Sequence, residues 1–324
     1  MTKIVAFDAE TGLGQETVLT IRRAVPEAEV VAPLEDELAD ALADAEIFYG
    51  FHSPDIFDGA HKLRWIQSTA AGMDWMVGSP LMESDMTITN ASGVHAPQVA
   101  ETAWALTLAI SRRLPTYFSQ QQDHRWQLAT HGALDGATAG IVGLGGIGRR
   151  YAGVAAALGM RVLAVDAHPT SQPESVQAVW QLDRLDELLG LADVLLISCP
   201  ATAETQNLID ARRLALMKPT AILVNIARGG IVNEDALADA LRDGRLTGAG
   251  LDVCQTEPLP PESPLWEVPN LIITPHSAGF SPQRNRRLDE FFCENLRRYL
   301  AGQPLRNVVD RQKGYPVPEE SKAE

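Results

Sequence analysis

Cysteine is scarce in this chain. Cys199, Cys254 and Cys293 are the only three in 324 residues, they stand far apart, and no CxxC occurs. An odd, scattered set excludes a disulfide framework and a zinc ribbon, and reduced thiols point to the cytoplasm. Long apolar runs are also missing. None approaches the ~18–20 residues of a membrane helix, so no membrane partner is expected. The opening "MTKIVAFDAE" has neither the apolar core nor the small-residue cleavage site of a signal peptide and reads as a first strand. Positive charge is in deficit: 27 Lys and Arg against 42 Asp and Glu give a net charge of −15. That excludes a general nucleic-acid or anionic-lipid surface, which would need basic patches to neutralise phosphates. The seven histidines show no paired metal-ligand spacing such as HExxH, so no metal is expected.

What remains is the composition of a soluble globular chain, 45% hydrophobic and 21% charged. Its length suggests roughly two domains. In the first ninety residues, short apolar runs at 3–8, 29–33, 46–50, 63–68 and 86–90 read as strands separated by helical stretches. Such alternation implies a parallel α/β sheet. Residues 96–115 read as one long helix with Pro97 near its start, ending before Pro115. After a polar stretch at 119–137, a second series of six strands follows at 139–145, 161–166, 193–200, 221–225, 248–253 and 270–275. That is the strand count of a doubly wound nucleotide-binding sheet. The last amphipathic helix runs over 281–302, and the polar tail "YPVPEESKAE" reads as frayed.

"GIVGLGGIGRR" contains Gly143-x-Gly145-x-x-Gly148 between an apolar strand and a helix. Asp166 ends the next strand, eighteen positions past Gly148. This is the dinucleotide-binding fingerprint in its proper context. Gly143 makes the tight turn, Gly145 lets the backbone approach a pyrophosphate, and Gly148 lets helix and strand pack closely. The amides of Gly146 and Ile147 open the helix and are the natural donors to the phosphates. Asp166 would accept the ribose hydroxyls and repel a 2′-phosphate, which favours NAD over NADP, although His168 leaves room for dual use.

Three charged groups then follow three strands. Arg228 succeeds the strand 221–225, Glu257 lies five residues beyond "GLD", and His276 succeeds the strand 270–274. Arg is rarely buried without a partner, and no acidic residue follows Arg228 until Glu234. Either Arg228 lies in solvent on a turn, or an anion from outside the chain meets it. All three lie past the carboxyl ends of strands of one predicted sheet, where ligands bind in open α/β folds. Glu257 could orient His276 and raise its pKa, so that the imidazolium protonates a carbonyl oxygen while NADH delivers hydride to the carbon. Arg228 could hold a 2-keto acid by its carbonyl and carboxylate oxygens.

With "STAAGMDWM", "TNASGVHAPQVAE", "NIARGGIVNEDAL", "GLDVCQTEPLPPESPLW" and "NLIITPHSAG", the chain resembles the D-isomer-specific 2-hydroxyacid dehydrogenase family over nearly its whole length. The resemblance implies two doubly wound parallel-sheet domains with an active-site cleft between them. A flavodoxin-like substrate domain comprises 1–95 plus 280–324, and a Rossmann coenzyme domain comprises 96–279. Two helices, 97–115 and 281–300, are implied to bridge them, and the molecule is implied to be a homodimer built on the coenzyme domain.

Arg228, Glu257 and His276 match the family's catalytic residues. The amides of Ala71 and Gly72 match the loop that grips the substrate carboxylate. Asp252 and the Ile226 carbonyl match positions that hold the carboxamide, Cys199, Pro200 and Thr205 match the adenosine-side loop, and Gly279 belongs to the cofactor set. Ala70 replaces a common glycine, and His95 stands where Asn is common. The wall formed by Phe51, His52, Met73 and Trp75 is expected to choose the substrate side chain. An NAD-sensing corepressor-like protein and a phosphite-type dehydrogenase are the alternative functions. A formate dehydrogenase is disfavoured because that branch pairs its His with Gln.

Overall fold

The computed structural model describes residues 1–9, 12–169 and 171–317. The end of the polar tail, 318–324, lies outside the described residues. The chain divides into two compact units: Met1–His95 with Ser281–Glu324, and Ala96–Phe280.

The first unit is built on β1 (Lys3–Asp8), β2 (Glu29–Val31), β3 (Ile47–Phe51), β4 (Trp65–Ser68) and β5 (Thr87–Thr89). They form one five-stranded parallel sheet in the order β2-β1-β3-β4-β5. This is the flavodoxin-like winding, whose order reverses beside β1. A parallel sheet must be covered on both faces, and its strands carry apolar stretches accordingly, Ile4–Phe7, Val30–Val31, Ile47–Phe51 and Trp65–Ile66. One face packs Ile4, Ala6, Ile47, Tyr49 and Trp65 against the helices Gln15–Ala24 and Arg284–Leu300. Tyr49 stacks on Phe292 with ring centroids 4.1 Å apart. The other face packs Val5, Phe48 and Ile66 with Leu38, Leu42, Met73 and Met76.

A carboxylate lies inside the first of these layers. Asp289 is 3% exposed and accepts Tyr49 Oη–H (2.9 Å) and Thr17 Oγ1–H (3.1 Å). Burial pushes its pKa up to about 6; Glu16 and Glu290 add to the rise, and the two hydroxyls oppose it. A native pKa above the unfolded value means that the folded state holds the extra proton. Stability is therefore fully present below the unfolded pKa and is lost as pH rises from about 4 through about 6. Two pKa units correspond to about 3 kcal/mol. Asp289→Asn keeps an acceptor for Tyr49 and removes the charge. Thermal melts from pH 4.5 to 7.5 should show the variant more stable than wild type at neutral pH, with the gap closing towards pH 4.5. A constant gap across that range would contradict this account.

The second unit holds β6 (Thr138–Val142), β7 (Arg161–Val165), β8 (Ala178–Trp180), β9 (Val194–Ile197), β10 (Ile222–Asn225), β11 (Gly248–Leu251) and β12 (Leu271–Ile273). The sheet is parallel in the order β12-β11-β10-β9-β6-β7-β8. It has seven strands rather than the expected six. β8 is three residues long and partly exposed, too short to show an apolar period. The order reverses between β6 and β9, the switch point at which α/β sheets open a crevice.

The expected helix 96–115 is also corrected. It runs Ala96–Ser111, Arg113 takes a left-handed φ of 56°, and a second helix covers Leu114–Gln122. Pro115 sits in the first turn of that second helix, where a missing N–H costs nothing, so it begins a helix rather than ending one. Ala96–Ser111 lies directly on β11: a Cβ at Gly248 would come 2.6 Å from Ile110, and one at Gly250 would come 2.9 Å from Leu106. Among the described residues, no helix is long and apolar enough to cross a membrane.

Candidate active site

The switch point of the seven-stranded sheet is shaped by its glycines. Gly143 has φ 92°, and a Cβ there would lie 2.6 Å from the backbone N of Cys199. A Cβ on Gly148 would lie 2.3 Å from Gly143 O. Both are therefore glycine because the turn and the helix–strand approach leave no room. Gly145 differs: a Cβ there meets nothing within 4 Å, so no protein neighbour demands a glycine. The helix Gly146–Ala157 starts immediately after it and directs its first amides out of the loop. Asp166 buttresses the same loop, accepting Leu144 N–H through Oδ2 (2.6 Å) and His168 N–H through Oδ1 (2.7 Å). The glycine pattern, the helix start and the carboxylate all fit a dinucleotide.

The flanking cofactor candidates are held nearby. Ser198 Oγ–H donates to Gly143 O at 2.8 Å, which ties the end of β9 to the glycine turn. Cys199 follows, and burial pushes its thiol up to about 12, so it is an inert wall and no nucleophile. Thr205 Oγ1–H donates to Pro200 O (2.9 Å) and accepts Thr202 N–H (2.7 Å), closing the "CPATAET" loop on itself.

The three charged candidates follow neighbouring strands of this sheet. Asn225 of β10 pairs with Leu251 of β11, and Leu251 pairs with Ile273 of β12, so the strands end level. Past β10, Asn225 forms an Asx turn: Oδ1 accepts Ala227 N–H (3.1 Å) and Nδ2 donates to Arg228 O (2.9 Å). Arg228 Nη1 donates to Ala227 O at 2.9 Å. A Cβ on Gly229 would lie 2.0 Å from Cys254 O, so the Arg228 turn sits hard against the loop that carries Glu257. Glu257 Oε1 accepts Cys254 N–H (2.9 Å), and its Oε2 is 2.7 Å from His276 Nδ1. A carboxylate only accepts, so Nδ1 carries the hydrogen of that bond and Nε2 is left for other chemistry.

Asp252 does more than its sequence position suggested. Its carboxylate, 1% exposed, accepts Thr274 Oγ1–H (2.6 Å), Ser277 N–H (3.1 Å) and Ala278 N–H (3.0 Å). Its carbonyl accepts His276 N–H at 2.8 Å. This clasp holds His276 at a left-handed φ of 50°, uncommon for a side-chain-bearing residue. Gly279, the residue after the clasp, accepts Gln98 Nε2–H at its carbonyl (3.0 Å). Ile226, the expected carboxamide-holding carbonyl, is the residue that joins β10 to the Asx turn.

In the other unit, the loop after β4 carries Ala71 and Gly72. Thr69 O accepts His95 Nε2–H (2.9 Å), Ala70 O accepts Ala91 N–H (2.8 Å), and Ala71 O accepts Asn90 Nδ2 and Ser92 Oγ. In a trans peptide the N–H points away from the carbonyl of its own plane. The amides of Ala71 and Gly72 therefore face away from this support, and among the described residues neither makes a hydrogen bond. Two adjacent amides left without a protein acceptor are donors available to an incoming group. Asn225, Asn90 and Ser92 escaped the sequence reading. The one signal for Asn225 was an Asx residue two positions before a turn; Asn90 and Ser92 lie about twenty residues from the carbonyl they support and left no local signal.

A family model described as "D-isomer specific 2-hydroxyacid dehydrogenase, NAD binding domain" matches residues 104–278. A glyoxylate reductase of Korarchaeum cryptofilum (strain OPF8) is 34% identical over 264 residues, 80% of this chain and 79% of that protein. The crystal structure of a D-isomer specific 2-hydroxyacid dehydrogenase family protein from Aeromonas salmonicida superposes with a TM-score of 0.86 at 33% identity, covering 96% of this chain and 99% of that one. A D-isomer specific 2-hydroxyacid dehydrogenase from Xanthobacter autotrophicus Py2, in complex with NADPH and MES, does so with a TM-score of 0.84 at 28% identity, covering 97% and 99%.

Proposed function

Because this chain belongs to the D-isomer specific 2-hydroxyacid dehydrogenase family, whose reaction is nicotinamide-dependent interconversion of 2-keto and 2-hydroxy acids, we propose that it works as a 2-keto acid reductase using NADH, with Arg228, Glu257 and His276 as its catalytic residues. The 2.7 Å bond from Glu257 to His276 carries the reading. It fixes the imidazole with Nε2 outwards, on a sheet edge that also carries Arg228.

When bound, the dinucleotide supplies the hydride. His276 Nε2 gives its proton to the carbonyl oxygen as the carbon is reduced, and Glu257 balances the ring's positive charge before the transfer. Arg228 offers a forked guanidinium to the carbonyl and carboxylate oxygens. Ala71 and Gly72 donate their amides to the carboxylate. At the cofactor, Gly146 and Ile147 offer amides to the diphosphate. Asp166 has lone pairs left for the ribose hydroxyls beyond the two it gives Leu144 and His168, and its charge opposes a 2′-phosphate.

Second-unit side chains also support a homodimer. Trp126 is 100% and Leu128 89% exposed, in the segment after the helix Leu114–Gln122, and Phe118 of that helix is exposed too. Exposed apolar side chains this close along the chain favour a partner surface, here a second copy. The three free cysteines suit the reducing cytoplasm.

A panel of 2-keto acids of graded size, run with NADH and with NADPH, tests the reading. At least one should be reduced, with NADH favoured by about 10-fold or more, the scale of one unfavourable charge contact. Dinucleotide binding with no turnover of any keto acid would return the NAD-sensing alternative. Equal use of both cofactors would remove the discriminating role of Asp166.

A further inference from the structure

We propose that His95 is a positioning residue for the carboxylate-gripping loop: its Nε2–H, donated to the buried carbonyl of Thr69, fixes the first peptide plane from which the amides of Ala71 and Gly72 are presented. The proposal rests on the reading of those two amides given above.

Thr69 is the root of the loop and is held at every polar group. Its N–H donates to Gly50 O (3.1 Å), its hydroxyl donates to Asp8 Oδ2 (2.6 Å), and its carbonyl accepts from His95 (2.9 Å). Among the described residues, His95 is the one donor to that carbonyl. Thr69 is 1% exposed, so water cannot readily replace it. Removing the donor leaves a buried acceptor unmet, at a cost of about 1–3 kcal/mol. The cheapest relief is rotation of the 69–70 plane. That plane leads into the two that follow, which Ala91 N–H and the Asn90 and Ser92 side chains orient.

The ring is suited to a fixed donor. Burial lowers its pKa, and the Arg284 and Arg287 guanidinia lower it further against Asp8 and the Thr69 carbonyl. It stays neutral around pH 7, with its single hydrogen committed to Nε2. An Asn side chain at this position is shorter and would not span the same gap.

The test compares His95→Phe, which keeps a ring and loses the donor, with His95→Gln, which restores a terminal N–H at similar reach. The whole chain is used, and exchange of the hydrogen-bonded loop amides of Thr69, Ala70 and Met73 is read without substrate. Steady-state constants are then taken with the best keto acid from the panel. For His95→Phe we expect exchange and KM each raised about 10-fold, the equivalent of roughly 1.4 kcal/mol, with kcat and NADH affinity little changed. His95→Gln should recover most of both losses. Wild-type exchange and KM in His95→Phe would overturn the proposal. So would a collapse of kcat at unchanged KM without rescue by Gln, which would place His95 in the chemistry. If His95→Phe does not fold, His95→Ala is read against the same values. If wild type reduces no keto acid, the functional reading fails and the exchange measurement alone decides His95.

Discussion

His276→Ala should lower kcat by about 10²–10⁴, the range that a well-placed general acid contributes, while NADH binds as tightly as before. The separation of effects follows from the geometry. His276 is fixed by its ring bond to Glu257 and its backbone bond to Asp252, and neither belongs to the glycine loop. Binding titrations and single-turnover rates measure the two quantities independently. Glu257→Gln should produce a smaller loss, since an amide can still accept from Nδ1 but carries no charge to balance the ring. A His276→Ala protein with near-wild-type turnover would defeat the assignment outright. A protein that also lost NADH binding would show that the left-handed turn at His276 had collapsed, in which case His276→Gln, which keeps a polar side chain there, becomes the variant to read.

The second large effect is at Arg228. Its turn is built by Asn225 and seated against Cys254 by the absence of a side chain at Gly229, so the guanidinium leaves a rigid base. Two charge-assisted bonds to a keto acid are worth about 3–5 kcal/mol together. Arg228→Gln should therefore reduce kcat/KM by about 10²–10⁴, with both KM and kcat affected, because the carboxylate is bound before reduction and the carbonyl oxygen gains charge during it. Arg228→Lys should recover only part of this loss, since an ammonium is a point charge and cannot present a fork. A Lys variant equal to wild type would mean that charge alone matters at this position; a Gln variant within about three-fold of wild type would remove Arg228 from the site.

Much of the fold was legible because its signals are local. Strands buried on both faces carry an apolar stretch, and each of β1 to β7 and β9 to β12 announces itself by it, with its ends less sharply marked. β8 does not, because three half-covered residues carry no period. Pro115 misled because its two roles, ending one helix and starting another, look alike until the left-handed turn at Arg113 is seen. The glycine loop was readable in kind and, at Gly143 and Gly148, in cause. The supports of the site were not readable. The Asp252 clasp spans some twenty-five residues, and the bonds that anchor Thr69 come from Asp8, Gly50 and His95. Sequence displays a functional group far more readily than the groups that aim it.

One layer of the second unit has a wider consequence. Where Gly248 and Gly250 meet Ile110 and Leu106, the strand offers bare backbone to the side chains of the helix, and β11 runs on without a break into Asp252. Adding so much as one methyl group there would wedge the two apart by several tenths of an ångström, and the shift would be passed to the residue that sets the His276 turn. Catalytic tolerance in this enzyme thus ends well before its reactive groups begin, at positions whose whole contribution is to occupy no space.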